Sequence, residues 1–214
     1  MKVVIAGAAG QIGSITVRLL VDAGHEVRGL ARKDGQLELL GGMNAEPYRL
    51  DLEADGSDAV AEAVRGADAI IFAAGAGPGS GDARKETMDY GGAVKLIEAA
   101  DREDVRRYVL VSSMGYADPG GSGKMENYAL AKLKADVALQ TSDLDYTIVR
   151  PGRLSDDDPT DRIDAAVQLG RYGEIPRADV AATLVAVLES ENTTRRAFEV
   201  LSGDKSVKDA VAGI

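Results

Sequence analysis

The sequence predicts an α/β protein, a doubly wound parallel sheet with helices on both faces, and three observations predict it. Apolar runs recur at Val3–Ala6, Glu26–Leu30, Ala45–Leu50, Ala69–Ala73, Arg107–Ser112, Tyr146–Val149 and Ala197–Leu201, mostly separated by helix-length stretches. Alternation of this kind indicates parallel strands joined by crossover helices. Runs such as Ile70-Ile71-Phe72-Ala73-Ala74 and Tyr108-Val109-Leu110-Val111 are apolar without interruption, as strands buried on both faces should be. The first run leads straight into glycines at 7, 10 and 13 and then into a helix-like pattern. That is a strand, a tight turn and a helix N-terminus.

In chain order, Lys2-Val3-Val4-Ile5-Ala6 feeds the segment Gly7-Ala8-Ala9-Gly10-Gln11-Ile12-Gly13, and Ile15, Val17, Leu19, Leu20 and Val21 carry the helix beyond it. Glycines also mark ordinary turns. In this setting Gly7 permits the turn, Gly10 lets backbone N–H groups approach a pyrophosphate, and Gly13 lets the helix pack closely on the strand. The ligand implied is a dinucleotide. Helices are expected at Gly13–Ala23, Asp34–Leu40, Ser57–Val64, Thr87–Ala100, Asn127–Gln140 and Ala178–Leu188. Right-handed crossovers place every strand's C-terminal end on one edge of the sheet. Function should collect there, at Gly7 to Gly13 (with Ala9, Gln11 and Ile12), Arg32, Asp51, Ala73, Ala74, Gly75 to Gly77, Ser112, Ser113 and Pro151 to Leu154. The glycine-rich segments Gly75–Gly81 and Asp118–Gly123 flank the same edge and read as mobile covers. Loops near 75–82, 114–122 and 153–175 are expected to build a substrate pocket.

A chain of 214 residues with 45% apolar content buries a sizeable core and most naturally forms one domain, 1–214, with 153–175 as a small substrate-side insertion. A net charge of −10 argues against a nucleic-acid backbone or an anionic membrane as partner. No apolar run approaches the roughly 20 residues of a membrane helix, and a cytoplasmic protein with a small-molecule substrate is expected. Nothing in the sequence specifies oligomeric state. Zero cysteines exclude disulfides and thiolate nucleophiles, so redox chemistry has to come from a cofactor. His25, the only histidine, lies in a turn entering the second strand, which leaves no histidine triad or histidine metal cluster. Asp156-Asp157-Asp158 reads as a solvated loop with no further ligand spacing, and no metal site is expected. Tyr90, Tyr116 and Tyr172 could each line a pocket, while Met114 reads as core.

Two features carry chemistry beyond the glycines. About nineteen residues past Gly13, the second strand ends at Leu30-Ala31-Arg32-Lys33. A site for NAD usually has an acid here to bond the ribose, whereas Arg32, with Lys33, can pair with a 2′-phosphate. NADP is therefore expected over NAD, the alternative being a solvated basic pair. In Tyr128-Ala129-Leu130-Ala131-Lys132 residues four apart share a helix face, and an ammonium beside a phenol favours the phenolate. Ser112 and Ser113 end a buried strand, Ser113 fifteen residues upstream of Tyr128, and offer hydroxyls to the same pocket.

With glycine loop, strand-end serine and Tyr-x-x-x-Lys in this order, the chain resembles an atypical short-chain dehydrogenase/reductase of the small NAD(P)-binding, epimerase-like kind. The resemblance implies a Rossmann-type fold and covers nearly the whole chain. It implies that Asp51-Leu52 meets adenine, and that Thr147-Ile148-Val149-Arg150-Pro151-Gly152, with Arg153, closes over the nicotinamide. Ile175-Pro176-Arg177-Ala178-Asp179-Val180-Ala181 resembles the family's later segment leading into a helix. It further implies an NADP-dependent reductase of a small carbonyl or quinone-like substrate. Tyr128 would donate the proton, Ser113 would be its hydrogen-bonding partner, and Lys132 would tune Tyr128 and hold the nicotinamide ribose. Only some sixty residues follow Pro151, which disfavours a nucleotide-sugar epimerase. A non-catalytic NADP-binding redox sensor is the alternative of a different class.

Overall fold

The computed structural model describes residues 1–77, 80–114 and 123–214, the side chains of 123–127 aside. Pro78, Gly79, Tyr116 and most of the segment 118–123 singled out above lie outside the described residues. The elements run β1 (Lys2–Ala6), α1 (Gln11–Asp22), β2 (Glu26–Ala31), α2 (Asp34–Gly42), β3 (Glu46–Arg49), α3 (Ser57–Val64), β4 (Ala69–Phe72), α4 (Asp82–Arg84), a π-helical stretch (Lys85–Gly92), α5 (Ala93–Arg102), β5 (Arg107–Val111), α6 (Gly123–Gln140) and β6 (Asp145–Pro151). They continue with β7 (Arg153–Ser155), β8 (Arg162–Ala166), β9 (Glu174–Pro176), α7 (Arg177–Leu188), β10 (Arg196–Ser202), β11 (Lys205–Ser206) and α8 (Val207–Ala212).

The main sheet has the strand order β11-β8-β10-β6-β5-β4-β1-β2-β3. From β3 through β10 every pairing is parallel. This is the Rossmann-type doubly wound sheet the sequence pattern predicts. Its chain order reverses between β1 and β4, the switch point where a crevice opens beyond the strands' C-terminal ends.

The period-2 alternation of β1 divides its side chains between two cores. Val4 and Ala6 join Val60 and Val64 of α3, Leu96 of α5 and Leu139 of α6 on one face. Val3 and Ile5 join Val17 and Leu20 of α1, Leu184 of α7 and Val211 of α8 on the other. Both faces of each central strand are therefore dry, which explains the uninterrupted apolar runs.

Two expectations need correction. The segment 153–175 is not wholly loop: β8 enters the main sheet antiparallel to β10, and β7 pairs with β9 in a separate two-stranded sheet. The expected helix Thr87–Ala100 begins instead as a π-helix through Gly92 and turns α-helical only at Ala93. The adjacent Gly91 and Gly92 hold helical backbone weakly and tolerate the wider turn.

Candidate active site and cofactor cradle

The glycines at the switch point are required for different reasons. Gly7 sits at φ +78°, and a Cβ there would lie 2.6 Å from the Ala73 carbonyl oxygen and the Ala74 nitrogen beyond β4. Both the conformation and the close approach of β1 to β4 demand glycine. At Gly13 a Cβ would run into the Gly7 carbonyl, so the loop folds back directly onto the helix. Gly10 has ordinary dihedrals (φ −79°, ψ 174°), and a Cβ there would meet Gly7 oxygen at 3.0 Å, at the limit of tolerance. Its own N–H already donates to Gly7 oxygen at 2.9 Å.

The residues present fit a dinucleotide. No side chain caps α1 and no acid stands in its first turn, so the first-turn N–H groups of Gln11, Ile12 and Gly13 and the positive end of the helix dipole face the crevice. Ala9 lies in the turn between Gly7 and Gly10. Beyond β4, Ala73 N–H returns to Ala6 oxygen at 2.9 Å, which carries Ala73, Ala74 and Gly75 along the same crevice.

Arg32 and Lys33 follow β2, and both are exposed. An Nη1 of Arg32 lies 3.5 Å from Asp51 Oδ2 and 3.7 Å from Glu53 Oε2. Lys33 N–H donates to Gln36 Oε1 at 3.3 Å as α2 begins. Asp51 bonds the Glu53 N–H at 3.0 Å, an Asx-type turn that fixes the segment after β3. The Leu52 side chain belongs to the core.

The second half of the edge carries buried charge. Lys132 on α6 is 4% exposed; its Nζ donates to Val111 oxygen at 3.2 Å and lies 3.2 Å from Asp89 Oδ1. The same ammonium stands 5.8 Å from the centre of the Tyr128 ring. Burial works against the charged lysine, but Tyr128, Asp89 and Asp136 together raise its pKa above the ordinary value. It is therefore a fixed cation at neutral pH. Asp89, 1% exposed on the π-helical stretch, also accepts from Ala76 N–H at 3.0 Å. One turn along α6, Asp136 takes the Arg150 Nε at 2.9 Å. Ser112 is buried and Ser113 half-buried at the end of β5, with Ser112 N–H on Val149 oxygen at 2.8 Å and Met114 N–H on Pro151 oxygen at 3.0 Å.

The structure thus brings Gly7 to Gly13, Arg32, Lys33, Asp51, Ala73 to Gly75, Ser112, Ser113, Tyr128, Lys132 and Pro151 to one edge. Gly152 and Arg153 reach it through the backbone but are engaged elsewhere. A Cβ at Gly152 would strike Leu201 and Gly173, and the Arg153 guanidinium pairs with Glu174. Asp89, Asp136, Glu53 and Arg84 complete the arrangement, and sequence reasoning missed all four. An isolated acid on the inward face of a helix, between Met88 and Gly92-Ala93, was the available signal for Asp89. Of the remaining tyrosines, Tyr90 packs against the core under Lys134, while Tyr172 is exposed. Met114 is buried, as expected of a core residue. His25 lies at the opposite edge, 3.9 Å from Glu189, and Asp156 pairs with Arg177 at 2.7 Å.

A glycine cradle at the switch point of a doubly wound sheet, with a tyrosine and a buried lysine beside it, defines a nucleotide-cofactor-binding α/β protein. Comparison with known proteins agrees: the model of the NAD(P)H-binding family matches residues 7–191, and the chain belongs to that family. Over 213 residues it is 38% identical to an uncharacterised sugar epimerase of Bacillus subtilis, covering 99% of each chain. It is 29% identical to the sanguinarine reductase of Eschscholzia californica, covering 98% of this chain and 92% of that one. A Bacillus halodurans structure, named provisionally as an NAD-dependent epimerase/dehydratase, superposes over 100% of both chains with a TM-score of 0.93 at 34% identity. The protein is an NAD(P)-binding enzyme of the atypical short-chain dehydrogenase/reductase type. Among the described residues, no helix is long and apolar enough to cross a membrane.

Proposed function

We propose that the protein is an NADP-dependent reductase of a small carbonyl or quinone-like substrate. The observation that carries this reading is Lys132, a buried cation held by Asp89 and Val111 oxygen and facing the Tyr128 ring, beside the glycine cradle and the end of β5. Gly7, Ala9, Gly10, Gln11, Ile12 and Gly13 would hold the pyrophosphate, and Arg32 with Lys33 the 2′-phosphate. Asp51, Leu52, Ala73, Ala74 and Gly75 would line the adenosine. Ser112, Lys132, Pro151, Gly152 and Arg153 would border the nicotinamide end.

A nicotinamide cofactor held by these residues would supply the hydride. The Tyr128 hydroxyl gives its proton to the carbonyl oxygen as that oxygen becomes an alcohol, and the phenolate left behind is stabilised by the Lys132 charge. The Ser113 hydroxyl donates a hydrogen bond to the same oxygen. Because Lys132 is anchored on two sides, it presents charge without reorganising during the reaction. Reductase chemistry also has a named precedent in the sanguinarine reductase relative.

The name of the Bacillus subtilis relative favours a second reading, sugar epimerisation. Against it, much of the chain beyond Pro151 returns to the main sheet as β8, β10 and β11 or packs on α1 as α7. Little chain remains for a lobe that would enclose a nucleotide sugar. The experiment is a panel of quinones, aldehydes, ketones and flavins with NADPH or NADH, followed by cofactor absorbance, together with nucleotide sugars followed for inversion. Carbonyl-dependent oxidation of NADPH supports the reductase, and inversion without net oxidation supports the epimerase. Tight NADPH binding with neither activity contradicts both readings.

A further inference from the structure

Arg32 is not free to meet a cofactor without giving something up. Its Nη1 is shared between Asp51 and Glu53 at 3.5 and 3.7 Å, distances beyond a good hydrogen bond. Glu53, by contrast, is firmly held. Its Oε2 takes the Arg84 Nε at 3.1 Å, its Oε1 takes the Thr87 hydroxyl at 2.7 Å, and Arg84 is itself tied to Ala76 oxygen at 3.3 Å. Partial burial works against the ionised Glu53, but Thr87, Arg84 and Arg32 outweigh it and hold its carboxyl below the usual range. Arg32 is therefore a loosely held cation beside an anchored anion.

We propose that Glu53 is a specificity determinant for the cofactor: a fixed carboxylate that competes with the 2′-phosphate for Arg32 and moderates the NADP preference that Arg32 alone would confer. The inference rests on the NADP reading given above. When a phosphate arrives, Arg32 leaves its long contacts, while Glu53 stays behind on Arg84 and Thr87, so the attraction of Glu53 for Arg32 is what the phosphate has to overcome. NADH brings no 2′-phosphate and is indifferent to this competition. Neither Glu53 nor Arg84 belongs to the recognised cofactor motifs of the chain; the geometry alone brings them to Arg32.

The test is calorimetric titration of NADPH and NADH against the wild type, Glu53→Gln, Arg32→Ala and the double variant. Glu53→Gln keeps one carbonyl oxygen to accept from Arg84, can donate its amide N–H to the Thr87 hydroxyl, and removes the charge. It should tighten NADPH about three- to fivefold, the upper range of a partly exposed ion pair, and leave NADH within about twofold. In the Arg32→Ala background the same substitution should gain less than about twofold, because the competition has lost its object. Glu53→Asp, whose shorter side chain draws the charge away from Arg32, should fall between wild type and Glu53→Gln and serves if the glutamine variant folds poorly. Unchanged or weakened NADPH binding in folded Glu53→Gln, or equal tightening of both cofactors, overturns the inference. If Arg32→Ala leaves the NADPH-to-NADH ratio untouched, the NADP reading itself falls. If Arg32→Ala collapses that ratio while Glu53→Gln changes nothing, only the role of Glu53 falls.

Discussion

The two halves of the sheet's C-terminal edge use charge in opposite ways. Beyond β2 and β3, Arg32, Asp51, Glu53 and Arg84 are partly exposed, their side chains between 22 and 37% accessible, and Arg32 is shared at long distance. Beyond β5 and β6, the Lys132 and Asp89 side chains are 5% and 1% exposed, and Asp136 is 1% exposed against Arg150. Exposed pairs contribute at most about 1 kcal/mol and rearrange readily. Buried pairs are fixed, because separating them strands a charge in low dielectric. In the half proposed to take the adenosine, Arg32 is thus held loosely enough to yield to a ligand beside an anchored Glu53, while the half that carries Tyr128 is organised before any ligand arrives.

Breaking the buried half should have the largest effect. Lys132→Ala leaves Asp89 without its cation and is expected to lower unfolding stability by about 3–5 kcal/mol, measured by denaturant titration, along with loss of turnover. Because the Lys132 pKa is raised, its contribution is fully present below the ordinary lysine value. It is lost only as the solution is made alkaline through the raised one. Stability should therefore show no loss from this group between pH 6 and about pH 10, and a decline confined to that neutral range would contradict the assignment.

Gly10→Val sharpens the contrast from the cradle side. Gly7 and Gly13 are fixed by the fold itself, whereas Gly10 has ordinary dihedrals and only a marginal internal contact. The variant should keep its circular dichroism spectrum and lose NADPH binding, because the side chain would stand between the backbone and the pyrophosphate. Normal NADPH affinity in the folded variant would remove the pyrophosphate from this loop.

On the yielding half, Arg32→Ala should cost NADPH about 1.5–3 kcal/mol, the worth of a charge-assisted hydrogen bond, or roughly ten- to a hundredfold in affinity. NADH should be little affected, and calorimetry reads both. The smallest effect is on pH. With its carboxyl held low, Glu53 adds stability above the ordinary glutamate value that is lost as pH falls through the lowered one. Comparing wild type with Glu53→Gln between pH 6 and 3 should show a difference of under about 1 kcal/mol that closes on acidification.

The parallel core was legible because burial on both faces writes uninterrupted apolar runs into β1, β4 and β5. The cradle and the Tyr128–Lys132 pair were legible because local spacing carries their geometry. Partners distant in sequence left no such trace. Asp89 reaches Lys132 across 43 positions and Arg84 reaches Glu53 across 31, and only the fold makes them neighbours. The strand Arg162-Ile163-Asp164-Ala165-Ala166 was also missed, since it buries just Ile163 fully and lies between β10 and the two-residue β11. Its mixed pattern is that of a sheet margin with one face partly open.

The central claim is that the preorganised half performs proton transfer through Tyr128. It is tested most directly by measuring NADPH oxidation with the carbonyl panel for wild type and Tyr128→Phe side by side. The substitution removes one hydroxyl and leaves the Lys132–Asp89 pair in place. The account predicts that the wild type turns over at least one carbonyl compound and that the variant does so about two to four orders of magnitude more slowly, with NADPH affinity unchanged. Equal rates in the two proteins, or NADPH binding without oxidation by any carbonyl compound, would contradict it.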